Sequence, residues 1–503
     1  MTCLQSQDEI AVGGPDSRGR GGASAFAASP HGSSSTPPTL PQMPRAWTRP
    51  EPYCKAAIVV GAIAILLWTL GNGDFWRFHR LPNHTTLGLA FWTLAATYGG
   101  VLFLAMIWRL GLWRRYRPMP SVEDAILPSV TVVIPAFNEG SLVRHSIRSA
   151  AASRYPADRL EIIVVDDGST DDTWQHIRAA VREIGEGINV RAFRQPRNMG
   201  KRRALYRGFK RAHSEVLVTI DSDSVLEPDS LRNAVTPLVR DPQVGCVAGC
   251  VQVMNPRQSL LTRFLKCYFS MSFKFVRAYQ NEFRGVFCTP GALSVYRADV
   301  VRQIADEWVH QHFLGLPCAT GEDRAMTNLF LREGWLTAYQ GNAVVWSKVP
   351  HTYRAMVNMF LRWARSNIRE TIFLWRFMFT GFRKRHLRAF RLNMVIVLLS
   401  LVMPPLLIAH SAALVVASDG FVFRYLGVML LYAMITIVVY FRNERDSDWV
   451  WLLVYSFFWI TCLSWILPYA ALTLRNTGWL TRGTGERRER LPSAELRPLP
   501  AEG

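Results

Sequence analysis

The stretch "RLEIIVVDDGSTDDT", Arg159 to Thr173, decides the fold. Ile162 to Val165 are four β-branched residues in a row, the composition of a strand covered on both faces. Asp166 and Asp167 end the apolar run, and Gly168-Ser169 supplies turn chemistry. The same pattern recurs on either side. Strand-like runs are "SVTVVIPAF" (Ser129 to Phe137), "INVRAFRQ" (Ile188 to Gln195), "EVLVTIDSD" (Glu215 to Asp223) and "VGCVAGCVQV" (Val244 to Val253). Helix-like segments lie between them, among them Ser141 to Ser153 and Lys201 to His213. Near-continuous Val/Ile strands alternating with helices predict an α/β domain whose sheet is mostly parallel. That unit runs from about Val122 to Pro350, roughly 230 residues, a size suited to one domain.

The flanks are of another kind. Of 503 residues, 49% are hydrophobic and only 19% charged, which leans toward a membrane protein. Residues 1–50, rich in Gly, Ser, Pro and Ala, read as a disordered tail. Two apolar blocks follow, Ala56 to Leu70 and Leu87 to Leu110, giving two transmembrane helices within 51–116. The basic cluster "WRLGLWRRYRP" after them predicts that the α/β region, 117–350, faces the cytoplasm by the positive-inside rule. Residues 351–391 form an amphipathic, basic stretch expected at the membrane surface. Three more apolar blocks occupy 392–475, and a basic tail, 476–503, closes the chain. Three full spans would leave that tail outside, whereas its charge places it inside. One block is therefore expected to be re-entrant or interfacial, with the Pro404-Pro405 block as first choice.

The net charge is +20, from 58 basic and 38 acidic residues. The arginines cluster beside apolar blocks, so lipid headgroups account for most of the excess. No zinc-finger spacing or aromatic-basic RNA signature accompanies them, which argues against nucleic acid. The eight cysteines show no C-x2-C pair and read as ordinary buried thiols.

Three acidic clusters carry the chemistry. Asp166-Asp167 and the pair Asp221 and Asp223 each end a strand, and "GEDR", Gly321 to Arg324, opens a predicted helix. Ligands in open α/β sheets bind outside the carboxyl ends of the strands, so these acids should converge on one crevice. A D-x-D turn suits a hard divalent cation, Mg2+ or Mn2+, together with a diphosphate. Downstream, "NMFLRWARSNIRE" places Arg362, Arg365 and Arg369 on one helical face beside Trp363. Arg362 is a candidate contact for an anionic ligand. Arg365 and Arg369 are assigned to lipid.

These motifs, in this order, resemble the processive glycosyltransferase family 2 enzymes that make hyaluronan, chitin oligosaccharides and cellulose. The carriers are "VIPAFNEG", "VVDDGSTDDT", "PRNMGKRRAL", "DSDS", "CTPGALSVYR", "GEDRAMTN", "LRWARSNIRET" and the terminal "TGWLTRG". The resemblance is to the hyaluronan synthase and nodulation chitin-oligosaccharide synthase branch. It covers about Val130 to Glu370 well.

It implies a GT-A fold and an inverting hexosyl transfer from a nucleotide sugar, by resemblance UDP-linked, to a growing β-linked polysaccharide. The site residues it implies are as follows. Pro135, Asn138, Glu139, Asp166, Asp167, Lys201, Ser222, Arg362 and Arg482 serve the donor. Asp221 and Asp223 serve donor and metal. Asp323 is the base, with Glu322 beside it, and Gly291, Trp363 and Trp479 serve the acceptor. The expected setting is the plasma or inner membrane, with the catalytic domain in the cytoplasm. One position departs: Met359 stands where the family's Q-x-x-R-W motif has Gln, and a thioether is a weak acceptor.

Three other readings compete. "VLVTIDSDSV" fits the haloacid-dehalogenase phosphatase motif, but there the motif opens the domain, and here three strands precede it. A non-processive transferase acting on a lipid carrier would share the donor site. A scaffold with a dead catalytic domain would not need to keep every acid.

Overall fold

The computed structural model describes residues 10–11, 51–71, 86–401 and 421–476. Pro404-Pro405, Trp479, Arg482 and most of the N-terminal tail lie outside these residues.

The strands of the main sheet are β1 (Ile10–Ala11), β2 (Val130–Ala136), β3 (Leu160–Asp166), β4 (Asn189–Arg194), β5 (Val216–Thr219), β6 (Ser224–Leu226), β7 (Val244–Val253) and β8 (Ser294–Arg297). A small hairpin, β9 (His312–Phe313) and β10 (Leu316–Pro317), follows. The long β11 (Leu336–Ser347) completes the main sheet. The order across the sheet is β1-β4-β3-β2-β5-β8-β7-β11-β6. β2, β3, β4, β5, β7 and β11 run one way, while β1, β6 and β8 run against them. The parallel character expected from the Val/Ile runs holds for the long strands. The short antiparallel strands carry no such run and are not visible in the composition.

The chain steps from β2 outward to β3 and β4, then returns to β5 on the other side of β2. That reversal opens a crevice at the carboxyl ends of β2 and β5. The helices before it are α1 (Glu51–Gly71) and α2 (Thr86–Arg115), and those around the sheet are α3 (Leu142–Ala151), α4 (Thr173–Ile184), α5 (Lys201–Arg211) and α6 (Ser230–Arg240). Strand side chains alternate between two cores, as the two-residue period requires. Val132, Ile134, Ile162 and Val164 meet α3 and α4 through Ile147 and Ile177. Val133, Ile163, Val165 and Leu217 meet α5 through Leu205 and Phe209.

Next come α7 (Leu260–Ser270), α8 (Ala278–Glu282), α9 (Ala298–Val309), α10 (Glu322–Arg332) and the long α11 (Tyr353–Met378). α12 spans 387–401, and α13 is Phe421–Glu444. α14 (Trp449–Phe458) continues through a π-helical turn, Trp459–Leu463, toward α15 (Ile466–Leu472).

Among the described residues, Glu51–Trp68 and Trp449–Leu472 are apolar and long enough to cross a membrane. Their settings differ: none of the first is buried against protein, but 39% of the second is. An ion cluster joins three distant parts of the chain. Glu51 and Lys55 on α1, Arg263 and Lys266 on α7, and Asp446 and Asp448 before α14 are its members. α15 packs along α11, where Arg365 Nη2 donates to Thr473 Oγ1 at 2.9 Å and Tyr353 Oη donates to the Cys462 carbonyl at 2.9 Å.

α5 rests on β2 because Gly208 has no side chain. A Cβ there would lie 2.3 Å from Val133 Cγ1. Gly208→Ala should therefore overpack this contact and cost about 1–3 kcal/mol. A lowered thermal midpoint of the detergent-solubilised chain would show it. An unchanged midpoint would mean that the α5–β2 spacing is not limiting.

Candidate active site

The crevice is built from the ends of three neighbouring strands, and β2 supplies the link. Beyond Pro135, Asn138 adopts φ +50°, a conformation that Asn tolerates. Its backbone N–H donates to Ser169 Oγ at 3.0 Å, and its side-chain oxygen accepts from Thr170 N at 2.9 Å. Glu139 N–H donates to Thr173 Oγ1 at 2.8 Å, while Glu139 Oε1 accepts from Ser222 Oγ at 2.9 Å. The tip of β2 thus ties the loop after β3 to the loop after β5.

Asp166 and Asp167 are almost wholly buried. Asp166 Oδ1 accepts from the backbone N–H of Ser169 at 3.0 Å, and Arg194 Nε lies 3.2 Å from its other oxygen. Asp167 accepts from Gln195 Nε2 at 2.7 Å and from the backbone N–H groups of Met199 and Gly200, each at 2.8 Å. Burial pushes the Asp167 carboxyl up to about 6, against the pull of the Met199 and Gly200 N–H groups. These carboxylates shape the loop that carries the next residue, Lys201.

Lys201 opens α5 and is the hub of the site. Its Nζ lies 2.6 Å from Asp221 Oδ1 and 2.8 Å from Glu322 Oε1. Gly291 sits above it, where a Cβ would come 2.6 Å from Nζ. Gly291 N–H also donates to Asp323 Oδ2 at 3.3 Å. Asp323 Oδ1 accepts from Arg324 N–H at 2.7 Å. Glu322 and Asp323 share the first turn of α10, a favourable end of the helix for negative charge. Their surroundings nevertheless drive them apart. Burial would raise Glu322, but the Lys201 ammonium outweighs it, with Arg362 adding to the effect, and the carboxyl is held well below the usual range. Asp323 is raised by burial first and then by the Glu322 charge.

The structure therefore brings Glu139, Ser222, Asp221, Lys201, Gly291, Glu322, Asp323 and Arg362 to one crevice. Trp363 lies next to it on α11, its ring 6.2 Å from that of Tyr268 at 22° and 6.1 Å from that of Phe269. Asp223 and Asp221 are both partly exposed, with the buried Ser222 between them. Among the described residues, no group of three or more His, Cys, Asp or Glu side chains is arranged to hold a metal ion by itself. Two hard carboxylate oxygens at D-x-D spacing suit a divalent cation whose remaining ligands come from a bound phosphate.

Two assignments need correction. Arg365 and Arg369 do not face lipid: they are 5% and 3% exposed and bonded within the protein. Their spacing fixed the helix face but not what covers it. Met359 is 6% exposed and belongs to the main apolar cluster. Gln195, Arg194 and Arg324 support the site and were not expected to; only Arg324 sat inside a motif.

Residues 128–366 match the family described as "Glycosyltransferase like family 2". An "N-acetylglucosaminyltransferase" of Bradyrhizobium diazoefficiens is 29% identical over 367 residues, covering 71% of this chain and 72% of that protein. A "Hyaluronan synthase" of Streptococcus pyogenes is 28% identical over 399 residues, covering 76% and 90%. A mannosyltransferase of Pyrobaculum calidifontis, solved with GDP-Man and Mn2+, superposes with a TM-score of 0.51 at 22% identity, over 74% of this chain and 98% of that one. The chain carries a family 2 glycosyltransferase domain of GT-A architecture, and it is a glycosyltransferase. Its relatives lie in the synthase branch of that family, with the N-acetylglucosaminyltransferases and hyaluronan synthase.

Removing the hub should be costly. Lys201→Met leaves the buried Glu322 unpaired, a loss of about 3 kcal/mol at neutral pH. In the wild-type chain, the depressed Glu322 contributes stability that is present above its unfolded value of 4.5 and lost as pH falls below it. Denaturant unfolding at pH 7 and pH 3 should therefore show the gap between the two proteins narrowing at the lower pH, which lies between the unfolded value of 4.5 and the folded value of about 2. A gap independent of pH would contradict the pairing.

Proposed function

We propose that this protein is a membrane-embedded, inverting transferase that polymerises sugar from a nucleotide-sugar donor, UDP-linked by family, into a β-linked polysaccharide coupled to export. The observation that carries the mechanism is the different engagement of two adjacent carboxyls: Glu322 lies 2.8 Å from the Lys201 ammonium, whereas Asp323 accepts from the backbone N–H groups of Gly291 and Arg324. Pairs of titratable groups pushed apart by their surroundings mark acid and base roles. Lys201 keeps Glu322 ionised and engaged. Asp323, raised and directed toward Gly291, is the group able to take a proton from the acceptor hydroxyl. One base and one displacement invert the anomeric centre.

The leaving group is a nucleoside diphosphate, so charge develops on its phosphates. Asp221 and Asp223 would hold Mg2+ or Mn2+, which would neutralise that charge. Arg362 adds a fixed positive charge beside Glu322. Pro135, Asn138, Glu139 and Ser222 form the donor floor, while Asp166 and Asp167 set its shape through the loops they bond. Trp363, packed beside Tyr268 and Phe269, offers an aromatic platform for the acceptor sugar, with Gly291 leaving room above Lys201. Trp479 and Arg482 complete donor and acceptor contacts by resemblance. The relatives' names support a polymer product, and the Mn2+ and GDP-Man of the structural neighbour support a metal-assisted nucleotide-sugar reaction.

The ion cluster supports one membrane arrangement. Both ends of 449–472 are tied to the catalytic side, one at Lys266 and Arg263, the other at Arg365. This supports 449–472, rather than the Pro404-Pro405 block, as the stretch that does not cross. It leaves the basic tail on the catalytic side, in the cytoplasm.

Purified enzyme given UDP-sugars singly and in pairs should release UDP and form polymer, as read by UDP assay and product sizing. A single sugar added to lipid would overturn the polymer reading. Asp323→Asn should lower kcat by about 10²- to 10⁴-fold while donor binding persists. Asp221→Ala should abolish metal-dependent donor binding. A base works only when deprotonated, so wild-type activity should fall with decreasing pH at a value above the ordinary 3.8 of Asp. Wild-type turnover by Asp323→Asn would refute the assignment.

A further inference from the structure

We infer that Arg369, together with Arg324, positions the catalytic carboxyl by stapling the first turn of α10 to α11. The inference rests on the reading of Asp323 as the base.

Five hydrogen bonds join α11 to α10 and the turn before it at the point that matters. Arg369 Nη2 donates to the carbonyl of Thr320, two residues before Glu322. Arg324, immediately after Asp323, reaches back to α11, donating from Nη1 to Asn367 Oδ1 at 2.7 Å and from Nη2 to Thr371 Oγ1 at 2.8 Å. One turn on, Asn328 Nδ2 donates to the Glu370 carbonyl at 2.9 Å and to its Oε2 at 3.1 Å. Arg369 Nε lies 3.2 Å from Glu370 Oε1, so the charge of the staple is balanced where it is buried.

Gly321 makes the approach possible. It sits at φ +76°, in the left-handed region, and a Cβ there would lie 2.5 Å from Ser366 Cβ and 3.1 Å from Arg369 Nη2. Only a glycine lets the turn before Glu322-Asp323 press flat against α11.

The geometry explains why two buried cations, Arg324 and Arg369, and an acid, Glu370, sit at a helix–helix contact that apolar residues could fill. An apolar contact would hold the helices together but leave their register loose. Hydrogen bonds to the Thr320 carbonyl on one side of the carboxyls and from Arg324 on the other fix α10 in both rotation and translation. α11 also carries Arg362 and Trp363. The staple thus sets the distance between the base and the residues proposed to face phosphate and acceptor. Displacements of about 1 Å at such a site cost about 10²-fold in rate. Neither arginine needs to touch substrate for this.

Two mild variants test the staple without stripping a buried charge. Thr371→Val removes the acceptor of Arg324 Nη2 while staying on α11. Arg369→Lys keeps the charge but loses the two-pronged geometry. Both should lower kcat by about tenfold or more, with donor KM and UDP affinity unchanged. Thr371→Ser should restore the rate. Leu374→Ala, a cavity in the same helix within another apolar cluster, should lower the thermal midpoint and leave kcat intact. If Thr371→Val and Arg369→Lys turn over at the wild-type rate while Asp323→Asn is inactive, the staple is refuted and the base survives. If Asp323→Asn is active, the base reading itself fails. Loss of kcat in Leu374→Ala equal to that in Thr371→Val would reduce the staple to general stability.

Discussion

The Lys201 ammonium, held between Asp221 and Glu322, is the constraint on which the site depends. Three carboxyls arrive at one crevice from two separate parts of the chain, Asp221 after β5 and Glu322-Asp323 at the start of α10, and unpaired acids so close would repel or take up protons. A single buried cation settles that conflict for two of them. It leaves the third carboxyl, Asp323, as the one with raised proton affinity. The position of Lys201 is itself set by Asp167, which gathers the N–H groups of Met199 and Gly200 just before α5 begins. The aspartate pair after β3 therefore acts on chemistry at α10 through a loop and a lysine.

Around that hub, α11 is the second organising element. One of its faces meets α10 through Asn367, Arg369, Glu370 and Thr371; Arg365 and Tyr353 bond to the C-terminal block. A helix in this position cannot shift without moving both the site and the membrane-side helices. The aromatic stack at Trp363 and the π-helical turn at Trp459 lie on the same contact, with Tyr268 between them at 6.2 Å and 6.5 Å.

Much of this was legible in the chain. Four of the five strand-like runs are strands within two residues of their expected limits, while the run from Glu215 to Asp223 forms a strand only to Thr219, its acids lying in the loop beyond. The helices at 142–151 and 201–211 and the start of α10 follow the same logic of pattern and cap. The acids fell at strand ends, and the crevice rule brought them together. What the sequence hid is the environment of charge. Asp166 and Asp167 read as ligand-facing acids, yet each is spent on protein donors. Arg365 and Arg369 read as a lipid stripe, because helical spacing reveals a face and not its neighbour. Strands β6 and β8 are too short for a period to register. The structural role of Arg194 and Gln195 depends on pairings across the sheet that no local signal encodes.

The ion cluster between α1, α7 and the segment before α14 has a consequence for how the chain is made. Glu51 is paired with Arg263, 212 residues later, and Lys55 with Asp448, 393 residues later. The first helix leaves the ribosome long before either partner exists. Its charged end must wait, solvated and provisional, through synthesis of the whole catalytic domain. Closure of that cluster can only be a late event, made when the last helices arrive. A chain cut short before Asp446 would carry every proposed site residue up to Trp363 and still lack the acids that anchor its beginning to its end.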